Sequence, residues 1–152
     1  MDLNNIYTQL ILEHSRNPAN KREIENPTYE ELGHNPSCGD EITLGIRLND
    51  DDIIEDIGFT GTGCAISQAS TSIMADQVRG KSKEEAIEMA DAFIGMIRGE
   101  EVSDEMYDEL GDALAFENIQ TMPARVKCAV LAWYTLKNVL ENGASEGSFS
   151  LE

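Results

Sequence analysis

Residues 41–59 read EITLGIRLNDDDIIEDIGF; apolar side chains recur at every second position in the first half, and three share one face of the second half. The residues that share one face of each half are Ile42, Leu44, Ile46 and Leu48, then Ile53, Ile57 and Phe59. A period of two is typical of half-buried β-strands, and the NDDD stretch at 49–52 favours a turn. The sequence therefore predicts an antiparallel β-hairpin.

Cysteines stand on both sides of this hairpin. Cys38 lies just before it in the stretch PSCGD, and Cys64 follows the stretch GTG just after it. Antiparallel strands return to the same end of a sheet, so we expect the hairpin to bring the two cysteines close together. Cys64 also precedes a helical segment, where unpaired backbone N–H groups favour a thiolate.

A third cysteine, Cys128, falls in the second turn of a helix predicted over 123–141. No pair of cysteines has the C-x2-C spacing of a zinc finger, so a shared site must be assembled by the fold. Asp40, two residues after Cys38, would complete a shell of three thiolates and one carboxylate for a soft or borderline metal. Arg125, three residues before Cys128 on the same helix face, would balance the charge of such a site.

The rest of the chain is predicted to be mostly helical and to form a single domain over residues 1–152. About 1–142 is expected to be ordered, with a frayed tail at 143–152. Pro and Asn in 17–37 indicate an ordered loop or short extended pieces. The predicted helices cover 2–15, 65–79, the segment after the Ser82–Glu85 capping box, a short acidic surface segment within 99–112, and 123–141.

Charge and composition exclude several functional classes. The chain carries 29 acidic and 11 basic residues, a net charge of −18, and its pI is near 4.3. A field this negative repels nucleic acid and anionic lipid, so neither is an expected partner. No apolar run approaches membrane length, and an odd cysteine count with no secretory segment favours the cytoplasm.

Two histidines offer weaker candidates for the site. His14 lies on the apolar side of the first predicted helix, where packing is the favoured interpretation. His34 stands four residues before Cys38 and is interpreted as an ordinary loop histidine, with a supporting hydrogen bond to the site as the alternative. Lys127 adjoins Cys128 but points about 100° away on an ideal helix, so a local positive charge is favoured over a metal ligand.

Three motifs together resemble the U-type iron–sulfur assembly proteins, the IscU/NifU N-terminal family. They are SCGD at 37–40, GTGCAIS at 61–67 and MPARVKC at 122–128. The resemblance covers nearly the whole chain, from the helix around Tyr7–His14 to residue 140. It implies an α+β fold in which a small antiparallel sheet, three-stranded in relatives, packs against several helices.

Two departures resemble the SufU branch of this family, found in Gram-positive bacteria. Lys127 stands where scaffold-type members carry a histidine before the third cysteine. The stretch between the second and third cysteines is also longer and includes the acidic segment 99–112.

The resemblance implies a Zn²⁺ protein that takes persulfide sulfur from a SufS-type cysteine desulfurase and passes it on, with an iron–sulfur scaffold as a possible recipient. Cys38 would accept the sulfur, Arg125 would support the site, and Cys38, Asp40, Cys64 and Cys128 would bind the metal. Two alternatives stay open. One is a scaffold that assembles a [2Fe–2S] cluster on the same cysteines, and the other is a desulfurase activator whose zinc is purely structural.

Overall fold

The predicted hairpin is present as two adjacent strands of a four-stranded sheet. The computed structural model describes residues 3–16, 20–36, 39–143 and 148–150. The elements are α1 (Leu3–Arg16), β1 (Tyr29–Asn35), β2 (Asp40–Leu48), β3 (Ile54–Thr62), α2 (Ala65–Val78), α3 (Lys83–Ile97), α4 (Asp104–Leu110), a 3-10 helix (Gly111–Thr121), α5 (Pro123–Asn142) and β4 (Ser148–Ser150). The strand order is β3-β2-β1-β4, so the hairpin strand β3 lies at one edge of the sheet.

β2 and β3 pair antiparallel, with Glu41 opposite Thr62 at the open end of the hairpin. The period-two prediction is confirmed for β2 and for the end of β3, whose apolar residues are buried; they are Ile42, Leu44, Ile46, Ile57 and Phe59. It is wrong for Ile53, which precedes β3 and is only partly buried: Ile54 is the buried residue, because the pairing of the two strands shifts between Arg47 and Leu48. The turn is held by the Asn49 side chain, whose Oδ1 accepts hydrogen bonds from the backbone N–H groups of Asp51 and Ile53 at 2.9 and 3.1 Å.

A third antiparallel strand, β1, pairs with β2 from Tyr29 opposite Ile46 to Asn35 opposite Asp40. Of the two interpretations of 17–37, an ordered loop or short extended pieces, the second holds for 29–35, which form a regular seven-residue strand of the sheet. β4 pairs parallel with the middle of β1. Residues 148–150 thus differ from the frayed tail expected over 143–152, while 144–147 and 151–152 lie outside the described residues.

The helices cover one face of the sheet, with α5 on β1 and β2 and α2 on β3. The largest buried side chain, Trp133 of α5, stacks on Phe93 of α3 with ring centroids 4.4 Å apart. Its indole N–H donates to Ser70 of α2 at 3.1 Å. The α+β fold implied by the resemblance is confirmed, with β1, β2 and β3 as the three antiparallel strands.

The short surface helix predicted within 99–112 is confirmed by α4, Asp104–Leu110, in which Leu110 is the buried residue. The helix is capped by the Ser103 side chain, which accepts a hydrogen bond from the N–H of Met106. The chain then continues as an eleven-residue 3-10 helix, Gly111–Thr121. Phe116 in that helix is buried and packs edge-on against Phe93, so the apolar residues after the acids draw the segment into the core. In the described part of the chain, no helix is both long and apolar enough to cross a membrane.

Candidate metal centre

Asp40 begins β2 and is completely buried. Its Oδ1 accepts a hydrogen bond from the backbone N–H of Cys64 at 3.0 Å. Its Oδ2 is also buried and has no hydrogen-bond partner among the described residues. A buried carboxylate oxygen without a donor is costly, so it points to a missing positive charge or proton donor at this position.

Cys64 is the N-cap residue of α2 and is partly exposed. Its Sγ accepts a hydrogen bond from the backbone N–H of Ser67 at 3.5 Å, so the sulfur takes the place that a serine or aspartate oxygen usually occupies at a helix start. Cys64 follows the last residue of β3, Thr62, by two positions. The end of the hairpin and the start of α2 thus place Cys64 beside Asp40.

Cys128 is buried in the second turn of α5. The Ser70 hydroxyl of α2 donates to the carbonyl oxygen of the next residue, Ala129, at 2.6 Å and ties the two helices together at this level. One ligand atom from each of Asp40, Cys64 and Cys128 lies within 4.8 Å of the other two. Within the described ranges this is the one group of three or more His, Cys, Asp or Glu residues that could hold a metal ion.

The donor set fits a borderline cation. Two sulfurs and a carboxylate oxygen are acceptable Zn²⁺ ligands. The unpartnered Oδ2 of Asp40 also supplies the negative group that a cation needs. Three protein ligands leave one position of a tetrahedral site to be filled.

The NifU-like N terminal domain family matches residues 6–142. The chain belongs to this family. The resemblance found in the three motifs is therefore confirmed.

Similar members of the family carry two different functional names. A protein of Streptococcus pyogenes serotype M1, named iron–sulfur cluster assembly scaffold protein IscU, is 41% identical over 94% of this chain and 87% of its own length. A protein of Bacillus subtilis strain 168, named zinc-dependent sulfurtransferase SufU, is 40% identical over 90% of each chain. The identities are too close to favour either name.

A solved structure agrees with the fold. It belongs to a protein of thermophilic Fervidobacterium islandicum AW-1 described as a candidate iron–sulfur cluster assembly scaffold for the SUF system. It is 40% identical, covers 91% of this chain and 99% of its own, and has a TM-score of 0.82.

Three further residues considered from the sequence are Cys38, Arg125 and Lys127. Cys38 lies outside the described residues, so its place as fourth ligand and sulfur acceptor stays a prediction. Arg125 is exposed in the first turn of α5, and its support of the site also stays a prediction. Lys127 is partly buried in the same helix.

Both histidines have structural neighbours. His14 Nδ1 lies 2.9 Å from the Ser72 hydroxyl of α2 and is partly buried, which agrees with packing. His34 lies on β1 rather than in a loop, and its Nε2 is 3.9 Å from a carboxylate oxygen of Glu41 on the neighbouring strand.

Two residues of the centre carry no obvious signal in the sequence. Ser67 is 1% exposed, and its hydroxyl makes no hydrogen bond to any described residue. Gly63 leaves the space into which the Asp40 carboxylate fits: a Cβ there would lie 2.9 Å from Asp40 Oδ1. Their positions, one before Cys64 and three after it in GTGCAIS, are the only clue that the sequence offers.

Proposed function

We propose that this protein is a zinc-dependent sulfurtransferase of iron–sulfur cluster assembly. It accepts persulfide sulfur from a SufS-type cysteine desulfurase on Cys38 and passes the sulfur on, an iron–sulfur scaffold being one possible recipient. The observation that carries the proposal is the grouping of Asp40, Cys64 and Cys128 around a carboxylate oxygen that has no partner in the described structure.

Zinc bound at this centre would hold cysteine sulfurs as thiolates at neutral pH while restraining their reactivity and oxidation. Asp40, Cys64 and Cys128 would hold the ion, and Cys38 would complete the set. Cys64 and Cys128 belong to the ends of two packed helices, whereas Cys38 precedes Gly39. Gly39 has φ of +71°, and no atom lies within 4 Å of the position that a Cβ on it would take. Of the three cysteines, Cys38 thus has the neighbour best suited to movement.

The chemical step is an exchange at a sulfur–sulfur bond. The thiolate of Cys38 attacks the terminal sulfur of the desulfurase persulfide, a new S–S bond forms on Cys38, and the desulfurase cysteine leaves as a thiolate. The number of persulfides is unchanged, so no external oxidant or reductant is needed. Arg125 at the start of α5 would stabilise the negative charge of the site during the exchange.

A scaffold function is the second candidate, because the Streptococcus relative named as an IscU scaffold is as similar as the Bacillus sulfurtransferase. The same cysteines would then hold a [2Fe–2S] cluster as cargo. Lys127 counts against this, because the resemblance of the sequence motifs implies a histidine directly before the third cysteine in a scaffold-type member. A purely structural zinc in a desulfurase activator would leave Cys38 without a chemical role.

Metal and acid-labile sulfide content of protein purified without oxygen, and without added metal, separates the first two candidates. One zinc per chain without sulfide supports the sulfurtransferase, and stoichiometric iron with sulfide supports the scaffold. Cys38→Ala separates the first from the third: incubated with desulfurase and cysteine, wild-type protein should gain the mass of one sulfur atom and C38A should gain none. Transfer to C38A at the wild-type rate would overturn the proposal.

The proposed reaction needs reduced thiols and a desulfurase in the same compartment. Three cysteines, an odd number, agree with a reducing environment. We therefore place the activity in the cytoplasm.

A further inference from the structure

Ser67 in the first turn of α2 carries a buried hydroxyl that no described residue uses. The residue is 1% exposed, and its Oγ has no hydrogen-bond partner in the described part of the chain. Buried polar groups in native proteins are nearly always hydrogen-bonded, because an unmade bond destabilises the fold. An unpartnered hydroxyl at this position therefore calls for an explanation.

The neighbouring hydroxyls show that a buried position on α2 does not by itself leave a hydroxyl without a hydrogen-bond partner. All other hydroxyl side chains of α2 are buried and have a partner. They are Ser70, bonded to the Ala129 carbonyl at 2.6 Å, Thr71, bonded to the Ser67 carbonyl at 2.7 Å, and Ser72, 2.9 Å from His14 Nδ1. Ser67 is the exception, and it is the hydroxyl in the turn that starts at Cys64.

Ser67 borders the sulfur of Cys64 and the carboxylate of Asp40. Its backbone N–H already donates to Cys64 Sγ at 3.5 Å. A Cβ placed on Gly63 would lie 3.2 Å from Ser67 Oγ and 2.9 Å from Asp40 Oδ1, so the hydroxyl and the carboxylate flank the same glycine. Asp40 Oδ2 likewise has no partner among the described residues. A hydrogen-bond donor and an acceptor are thus both left unused beside one cysteine.

We propose that Ser67 is a positioning residue for a metal-bound thiolate: when a divalent cation occupies the centre, the Ser67 hydroxyl donates a hydrogen bond to Cys64 Sγ. The physical reason is the change in the sulfur. A neutral thiol is a weak acceptor, whereas a thiolate accepts strong, charge-assisted hydrogen bonds. The same cation satisfies Asp40, so loading gives partners to both unused groups. This inference rests on one part of the proposed function, namely that the centre binds a divalent cation.

Ser67→Ala tests the inference, with Thr71→Ala as the matched control. Both variants remove one buried hydroxyl from the same helix, but the Thr71 hydroxyl donates to a backbone carbonyl. The probe is Co²⁺ added to the metal-free full chain. The thiolate-to-cobalt absorption reports binding, and competition with a chelator measures the affinity. Thermal unfolding is measured for each variant with and without the ion, and no desulfurase is present.

We expect S67A to bind Co²⁺ about 10–100-fold more weakly, because removal of a hydrogen bond to a metal ligand commonly lowers metal affinity by about this factor. Its charge-transfer band should move to longer wavelength, because the sulfur lone pairs lose a stabilising donor. Without metal, S67A should unfold at the wild-type temperature or above it, since it removes an unpartnered group. T71A should show wild-type affinity and spectrum, and it should unfold at lower temperature in both states.

Other results overturn the inference in recognisable ways. Equal Co²⁺ affinity and an unshifted band in S67A would mean that the hydroxyl does not contact the loaded centre. A metal-free S67A that unfolds early, or does not fold, would mean that the hydroxyl already has a partner in the fold. If the wild-type chain binds no Co²⁺ or Zn²⁺, this inference and the metal centre of the proposed function fail together. Failed sulfur transfer with intact metal binding would affect the proposed function alone.

Discussion

Gly63 contributes no ligand atom, yet the position of Asp40 depends on it. The Asp40 carboxylate reaches the N–H of Cys64 only because nothing projects from Gly63. A Cβ there would lie 2.9 Å from Asp40 Oδ1 and 3.2 Å from Ser67 Oγ, and Asp40 is completely buried. Since neither neighbour can move into solvent, a side chain at this position must displace the carboxylate.

Gly63→Ala should therefore weaken metal binding. Displacing Asp40 breaks its hydrogen bond to Cys64 and moves a ligand, so we expect at least a tenfold loss in Zn²⁺ affinity and a loss of roughly 1–2 kcal/mol in the free energy of unfolding. Chelator competition measures the affinity, and urea unfolding of the metal-free chain measures the stability.

The matched control is Gly95→Ala in α3. A Cβ on Gly95 makes only ordinary contacts, the nearest at 3.6 Å from Glu100. Alanine is a better helix former by about 0.8–1 kcal/mol, so G95A should be stabilised and bind zinc normally. Normal zinc affinity in G63A would mean that the Asp40 carboxylate is not held where this structure places it.

At the scale of elements, β1 shows why periodicity misses one antiparallel strand while it predicts β2 and β3. The inward-facing positions of β1 include Glu31, Gly33 and Asn35, so the strand has no apolar alternation to detect. Glu31 is buried, and its carboxylate accepts a hydrogen bond from Asn138 of α5 at 3.0 Å. The contact between β1 and α5 is polar and close, and single-sequence periodicity reports only apolar contacts.

The close approach of α5 to β1 requires a glycine at position 33. A Cβ there would collide with the hydroxyl of Thr135, which is fully buried and donates to the Leu131 carbonyl at 2.8 Å. Gly33→Ala should therefore cost about 1–3 kcal/mol in the free energy of unfolding, as overpacking does. Urea unfolding of the metal-free chain measures this loss.

A double-mutant cycle with Thr135→Ala tests the cause. Removing the Thr135 hydroxyl and methyl opens the space that the new Cβ needs, although the Thr135 Cβ itself remains 3.2 Å away. The double variant should recover part of the loss, giving a clear interaction energy between the two positions. Strictly additive losses would show that the collision with the Thr135 side chain is not what destabilises Gly33→Ala.

The candidate site is predictable from the sequence to the extent that its residues are chemically unusual. Cys64 is recognisable because it follows a glycine-rich stretch, and Asp40 is recognisable because it lies two residues after Cys38. The hairpin explains how strand ends can meet, and the structure brings Asp40 and Cys64 together there. Ser67 cannot be found in this way, because an unpartnered hydroxyl is a property of the folded surroundings and serine is common near helix starts.

At the scale of the whole molecule, the outer face of the sheet is covered by the segment 20–28. Gly45 and Gly58 face each other on β2 and β3, and the Ile24 side chain lies against both. Backbone hydrogen bonds fix the two ends of the segment, from Phe59 N to the Asn20 carbonyl and from Thr28 N to the Ile46 carbonyl. The pair of glycines therefore makes room for a covering segment rather than marking a weak point in the sheet.

A network of charged groups links this segment to the rest of the fold. Arg22 makes two hydrogen bonds to Asp56 of β3, at 2.7 and 3.2 Å. Arg79, just after α2, donates to Asn20 Oδ1 at 2.6 Å and to the Ile57 carbonyl at 2.9 Å, and its Nε lies 3.7 Å from Asp56. Arg47 of β2 also lies 4.0 Å from Asp56, so in a chain of net charge −18 three of the 11 basic residues surround one carboxylate.

This network makes a defined part of the stability depend on pH. The hydrogen bond from Arg22 is the main reason that the pKa of Asp56 lies below its ordinary value of 3.8. A carboxyl group whose pKa is lowered by folding contributes stability above its unfolded pKa and loses it as the pH falls through the folded one. The contribution should be fully present at pH 7 and should disappear as the pH falls below about 4.

Asp56→Asn isolates this contribution. Because Arg22 is nearly half exposed and solvent screens the pair, the variant should lose no more than about 1 kcal/mol at pH 7. Asp51→Asn, on the exposed hairpin turn, removes the same unit of negative charge and controls for the relief of general repulsion in so acidic a chain. Urea unfolding from pH 7 to pH 3 should show D56N below D51N at neutral pH and the two curves meeting in acid. A constant gap down to pH 3 would mean that Asp56 stabilises the fold through its shape and not through its charge.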